Sequence, residues 1–265
     1  LIKGTGAEPG NTITVYNGDK VIGTAKVQAD GTWSLEPTTP LPDGKYTLTA
    51  KETDSVGNVS GPSAEYVINV ATVPPQAPTL DTVYDDVAPH ADYLQKGDVT
   101  NDTTPTLSGT AEANATVTVR VDGVAIGTTV ANGLGVWIFT PSSPIAEGPH
   151  ALTAVATDAA GNTSGVSNTW TLTIDSVAPA APIITQVVDD VPERLGALNP
   201  NDSTNDTTPT LNGTAEPGST VTIRLDGTDL VTVPVDNNGA WTYTLTTPLI
   251  SGPHTFTVVA TDTAG

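Results

Sequence analysis

The chain has 265 residues, 29 of them acidic and 9 basic, for a formal net charge of −20; this argues against nucleic acid or anionic membrane as partners and for a divalent cation as counter-charge. It contains no Cys, which removes disulfides, thiol nucleophiles and thiolate metal sites together. Aromatic residues make up 5%, with 25 Gly and 22 Pro, a composition of short strands and many turns in which no apolar run is long enough to span a membrane.

Along the chain the same words return at a constant spacing of 104 residues. Glu8, Glu112 and Glu216 are so related, as are Trp33, Trp137 and Trp241, then Asp54, Asp158 and Asp262, then Gly57, Gly161 and Gly265. The segment VPPQAP at 73–78 matches VAPAAP at 177–182. The period divides the chain into repeat 1 (1–73), lacking its opening, a whole repeat 2 (74–177), and repeat 3 (178–265), lacking its last strand. The start at Leu1, with neither Met nor a leader, is expected of a piece of a longer chain. A unit this long suits a self-contained domain in a tandem array, since solenoid repeats run to roughly 20–50 residues.

In the middle copy, alternating apolar and polar residues predict seven strands. They are 79–86, 104–111, 116–123, 124–130, 136–141, 150–158 and 168–175. Val117, Val119 and Val121 fall on one face, and the Asp-Gly that follows is a hairpin signal. No window carries a helical period. Seven short antiparallel strands in about 100 residues predict an all-β chain of tandem immunoglobulin-like sandwiches, arranged head to tail in an extended row. Trp137 is then expected in the core.

The words TPTLSGTAE, TAEPGSTVTI, NNGAW and ATDAAGNTS, with DDV followed by NDTTPTL, resemble the bacterial Ig-like repeats of giant non-fimbrial adhesins exported by type I secretion. The resemblance covers the whole chain. It implies a secreted, surface-displayed and calcium-stiffened stalk for cell adhesion, with virulence or biofilm roles, whose host-cell contact lies in distal domains. The partners it implies are neighbouring repeats of a monomeric chain. A chain with neither Cys nor Met also suits export in the unfolded state.

Strand parity gathers the acidic residues at the ends of each sandwich. The loops 111–116 and 157–162 fall at the N-proximal end, and the insert 85–102 at the C-proximal end. Head-to-tail stacking would face one copy's insert with the next copy's loops across the linker. Two calcium sites are expected at the second joint: Asp175, Glu216 and Asp262 form one, and Asp85, Asp86, Asp98 and Asp102 supply the other. Asp189, Asp190, Asp202 and Asp206 are the insert equivalents in repeat 3. Glu112 and Asp158 are the loop acids of repeat 2, where Ala71 replaces the linker carboxylate and a weaker or differently built site is expected. Calcium accepts six to eight hard oxygens at flexible geometry, which suits carboxylates from separate loops better than magnesium does. The competing reading is that the Asp of TDAAGN closes its own turn and that NDTTP is a capped turn before a strand.

Catalytic patterns are missing from the sequence. His150 and His254 occupy equivalent strand-opening positions, where an exposed structural role is expected, and His90 becomes Arg194 in the next copy, which suggests a solvated loop. No enzyme activity is expected. Two further readings stay open: repeats that themselves bind host glycan or receptor, and spacer modules of a secreted hydrolase.

Overall fold

The computed structural model describes residues 1–89, 91–193 and 195–265, so the His90 and Arg194 positions lie outside the described residues. Among the described residues every regular element is a strand, and no helix is long and apolar enough to cross a membrane. The chain divides into two compact units, Leu1–Pro75 with Thr157–Thr163, and Gln76–Ala156 with Ser164–Gly265.

The first unit holds β1 (Ile2–Thr5), β2 (Thr12–Asn17), β3 (Lys20–Lys26), β4 (Thr32–Leu35), β5 (Gly44–Thr53) and β6 (Tyr66–Val70). A two-stranded sheet β1-β4 faces a four-stranded sheet β3-β2-β5-β6, and Ile13, Val15, Val27, Trp33 and Leu35 fill the space between them.

In the second unit, repeat 2 runs through β7 (Thr82–Tyr84), β8 (Val99–Thr100), β9 (Thr106–Thr110), β10 (Thr116–Val121), β11 (Val124–Val130), β12 (Val136–Phe139), β13 (Gly148–Thr157) and β14 (Trp170–Ile174). Its sheets are β11-β10-β13-β14-β8 and β12-β9-β7. Val117, Val119 and Val121 point inward together with Leu107, Trp137, Leu152 and Leu172, as their period of two requires. Repeat 3 contributes β15 (Ile183–Asp189), β16 (Gly196–Leu198), β17 (Thr210–Thr214), β18 (Thr220–Leu225), β19 (Thr228–Pro234), β20 (Ala240–Thr244) and β21 (Phe256–Thr261). They form the sheets β16-β15-β17-β20 and β19-β18-β21 around Leu211, Val221, Ile223 and Trp241.

The all-β, Ig-like expectation is met, and strands match to within a few residues at their ends. The elements missed are β8 and β16, of two and three residues, inside the acidic inserts. They are too short to carry an alternation, and β8 exists because it pairs in parallel with the end of β14.

A cleft of about 640 Å³ in the first unit is lined by Ile2, Ile13, Trp33, Ala50, Pro62 and Ile68. In repeat 2 the corresponding space beside β9 is filled by the segment of β7, with Leu80 fully buried and its N–H bonded to Asn168 Oδ1 at 2.8 Å.

The repeated Trp sits on a repeated Gly. A Cβ on Gly109 would lie 2.0 Å from Thr79 O and 2.8 Å from the Trp137 ring; on Gly213 it would lie 2.1 Å from Ile183 O and 2.2 Å from the Trp241 ring. Because backbone as well as indole occupies that space, no side-chain rotation can relieve the clash. Gly109→Ala should therefore lower the urea unfolding midpoint of repeat 2 by an overpacking cost of about 1–3 kcal/mol, while Gly123→Ala, at a solvent-facing turn position, should act only through its backbone.

Candidate metal site

The acidic insert is organised by one hydroxyl. Thr100, fully buried on β8, donates to Asp85 Oδ2 at 2.5 Å and accepts the Asp102 N–H at 3.0 Å. Asp85 Oδ1 also accepts the Val87 N–H at 2.8 Å. Asp102 Oδ1 accepts the Thr104 N–H at 2.8 Å, and its Oδ2 takes a long contact from the Asp86 N–H at 3.4 Å. Asn101 Nδ2 donates to Ala88 O at 3.1 Å and pins the loop, while its buried Oδ1 has no partner among the described residues. Asp98 stands apart, accepting the Gln95 N–H at 2.6 Å.

Repeat 3 rebuilds the same network 104 residues on. Thr204 donates to Asp189 and accepts from Asp206 N–H; Val191 N–H and Thr208 N–H reach Asp189 and Asp206; Asn205 Nδ2 reaches Pro192 O. Asp202 accepts from Asn199 N–H and Nδ2.

These carboxylates are deeply placed: Asp85 is 0% exposed, Asp102 1%, Asp189 1% and Asp206 3%, whereas Asp86 and Asp190 are exposed. Burial raises the pKa of Asp102 above the usual carboxylate value. Backbone N–H bonds from Thr104 and Asp86 oppose the rise, and the charges of Asp85 and Asp86 add to it. Among the described residues no Lys, Arg or His pairs with any of these six. Uncompensated buried charge is strongly unfavourable.

The donor chemistry fits a hard cation: buried carboxylates, a free amide oxygen and no soft ligand. The side chains do not form a finished cage, however, because among the described residues no group of three or more Asp, Glu or His is arranged to hold a metal ion. Their oxygens are occupied by the insert's own N–H and O–H groups.

The loop acids fill the turn role. Asp158 Oδ1 accepts the N–H of Ala160 and of Asn162, and its Oδ2 accepts Asn162 Nδ2; these bonds, that from Asn162 Nδ2 foremost, lower its pKa. Asp262 Oδ1 accepts from Ala264 and Gly265 N–H. The carbonyls of Glu112 and Glu216 close turns to Ala115 and Ser219, leaving both side chains exposed. Asp175, in the linker, donates its N–H to Thr100 O at 2.9 Å, so it adjoins the insert of its own repeat. Among the described residues no hydrogen bond joins the side chains of Asp175, Glu216 and Asp262. At the preceding linker, Asn162 Nδ2 donates to Ala71 O at 3.0 Å, so the loop of repeat 2 reaches the position equivalent to Asp175.

Sequence reasoning missed three participants. Thr100 and Thr204 are the hubs, signalled by the shared words TNDTTP in both copies. Glu52, whose carboxylate collects the N–H groups of Ala7 and Glu8 and the amide of Asn11, has Ala156 and Ala260 as its periodic equivalents and so left no repeated signal.

The bacterial Ig-like domain family model matches residues 2–72, 79–176 and 185–265. The chain belongs to the bacterial Ig-like domain family. No curated protein matches it. Among solved structures it is similar to the fibronectin(III)-like modules of Clostridium thermocellum CbhA, at 20% identity and TM-score 0.39, over 63% of this chain and 79% of that one. It is also similar to a tetra-tandem repeat in the extending region of a large adhesion protein, at 21% identity and TM-score 0.29, over 98% and 70%. A third likeness is the BSP domain of a biofilm associated protein, at 17% identity and TM-score 0.23, over 94% and 54%. All three TM-scores lie under 0.5, so membership rests on the family model.

Thr100→Val keeps the shape of the hub but orphans Asp85 Oδ2 and the Asp102 N–H, each worth about 1–3 kcal/mol when buried without a partner. The unfolding midpoint of repeat 2 in chelator should fall accordingly, and Thr100→Ser should restore most of it.

Proposed function

We propose that the chain is a calcium-stiffened stalk segment of a bacterial cell-surface adhesin, secreted by a type I route and projecting a distal binding region toward its target. The carrying observation is the duplicated insert: two copies hold the same two buried carboxylates on the same Thr hub, with no cationic side chain among the described residues to neutralise them. A cation from solution is the missing counter-charge. Asp85, Asp102, Asp86 and the free Asn101 oxygen are the residues that would hold it in repeat 2, and Asp189, Asp206, Asp190 and Asn205 in repeat 3. Binding requires the carboxylates to turn from their present N–H partners toward the ion.

The finer likeness, carried by the quoted words of the sequence, is to the giant adhesin of Salmonella. Absence of Cys and Met supports export of an unfolded chain into an oxidising exterior. A stalk role without catalysis is supported by the repetition itself, since the equivalent acids Asp54, Asp158 and Asp262 each accept N–H groups of their own turn. A glycan-binding role needs aromatic platforms; Trp33, Trp137, Trp170 and Trp241 are all buried, which leaves single exposed tyrosines such as Tyr66 and Tyr93.

Extracellular calcium modules bind at about 10⁻⁴–10⁻³ M, so such sites would be empty in the cytosol and filled outside. At 100 times the dissociation constant, calcium adds about 2.7 kcal/mol per independent site to the ordered state. Small-angle scattering of the whole chain should show a longer, narrower distribution of maximum dimension in millimolar calcium than in chelator, and Asp85→Asn with Asp189→Asn should scatter as the chelated parent does at both conditions. A profile indifferent to chelation would reject calcium stiffening; an Asp175→Ala variant that matches the parent at limiting calcium would remove the linker carboxylate from the account.

A further inference from the structure

His150, near the start of β13, and His254, just ahead of β21, are held by the same pair of acceptors. His150 Nδ1 lies 2.7 Å from Asp122 Oδ2 and Nε2 lies 2.8 Å from Ala146 O. His254 Nδ1 lies 2.8 Å from Asp226 Oδ2 and Nε2 lies 2.8 Å from Ile250 O. A backbone carbonyl only accepts, so Nε2 must carry a proton; an ionised carboxylate also only accepts, so Nδ1 must carry one too. The neutral ring, with one N–H, can satisfy one acceptor and must turn a lone pair on the other. Both imidazoles are largely covered, with 12% and 15% of the side chain exposed, rather than standing free in solvent as their position in the sequence suggested.

The two acceptors belong to different parts of the fold. Asp122 and Asp226 open the Asp-Gly turns after β10 and β18 with φ of 51°, a left-handed conformation that costs a non-Gly residue free energy. Each aspartate is fastened to the strand that follows the His, through Ala151 and Thr255, by N–H to O bonds of 2.9 Å and by Oδ1 accepting N–H at 2.9 and 2.8 Å. Ala146 and Ile250 lie on the crossover leading into that strand. The ring thus ties hairpin turn to crossover.

Repeat 1 has neither His nor Asp at these positions, and two separate bonds stand where the single ring bridges in repeats 2 and 3. Its equivalent of His is Tyr46, whose hydroxyl donates to Pro42 O at 2.8 Å, and its equivalent of Asp is Gly18, with Asn17 Oδ1 accepting the Thr47 N–H at 2.9 Å.

We propose that His150 and His254 are proton-operated clasps, closed when doubly protonated, which make repeats 2 and 3 more stable as pH falls from about 8 to 6 while repeat 1 stays indifferent. Burial works against the charged His150 ring, but the bonds to Asp122 and Ala146 O and the Asp122 charge outweigh it, so its pKa is raised; for His254 the Asp226 bond leads and the direction is the same. A raised His pKa contributes stability that is fully present below the unfolded value of about 6.5 and is lost as pH rises through the folded value. The charge acting on each ring is that of its own aspartate, Asp122 for His150 and Asp226 for His254. Of the other charged groups on the neighbouring elements, Glu147, on the crossover, is engaged by Ser176, and Arg224 on β18 pairs with Asp229.

The test is an NMR titration of the whole 265-residue chain at fixed calcium, with His150 and His254 assigned through single His→Tyr variants. Both should titrate with midpoints above about 6.5, show two protonated ring nitrogens at pH 6, and shift downward in Asp122→Asn and Asp226→Asn respectively. Thermal transitions of the parent should fall between pH 6 and pH 8 by more than those of the double variant His150→Tyr with His254→Tyr, which borrows the repeat 1 solution. Midpoints at or below 6.5, midpoints unmoved by the Asn variants, or an equal pH response in the double variant would each overturn the proposal.

Discussion

A carboxylate taken out of water has to find opposite charge, find enough hydrogen-bond donors, or take up a proton. The inserts of repeats 2 and 3 each bury two of them, Asp85 with Asp102 and Asp189 with Asp206. The local fold follows from meeting that demand with donors: the Thr hydroxyl between the pair, the N–H groups of Val87 and Thr104 and their equivalents, and the Asn amide that pins the loop. What these donors leave unmet is charge. Asp102 answers with a raised pKa, and in a chain of net charge −20 the surroundings offer little help. The short strand β8 belongs to the same arrangement, since it places Thr100 between the two acids and locks the insert to β14.

The rest of each sandwich is built to be repeated. Each indole lies over the glycine opposite it on the neighbouring strand of its own sheet, and the inward valines fill the core beside it. The same bulge interrupts β2, β10 and β18 between Val15 and Tyr16, Val119 and Arg120, and Ile223 and Arg224, so each hairpin turn is delivered to the same place. Because the scaffold is constant, differences between copies can be read as local exchanges of chemistry, such as Tyr46 for His150 or Ala71 for Asp175.

Much of this was legible beforehand because strand faces and a 104-residue period are written in single residues. Val117, Val119 and Val121 declare their face by alternation, and Trp137 declares the core by recurrence. The acids of the inserts were legible as a group, but their arrangement was not. Asp85 and Asp102 meet on Thr100, a residue type common throughout the chain, while Asp98 turns away to Gln95. Asp158 was readable in two ways, and the structure shows it closing its own turn. The clasps were hidden for a geometric reason: His150 and Asp122 stand 28 positions apart, and only antiparallel pairing brings the turn to the ring.

The measurement that tests the central claim most directly is calorimetric titration of calcium into the whole chain after removal of divalent ions, in parallel with Asp85→Asn and Asp189→Asn. The account predicts saturable binding in the range of about 10⁻⁴–10⁻³ M, with each variant losing the site of its own repeat and keeping the other. Absence of saturable heat in the parent, or a titration that both variants leave unchanged, would contradict it.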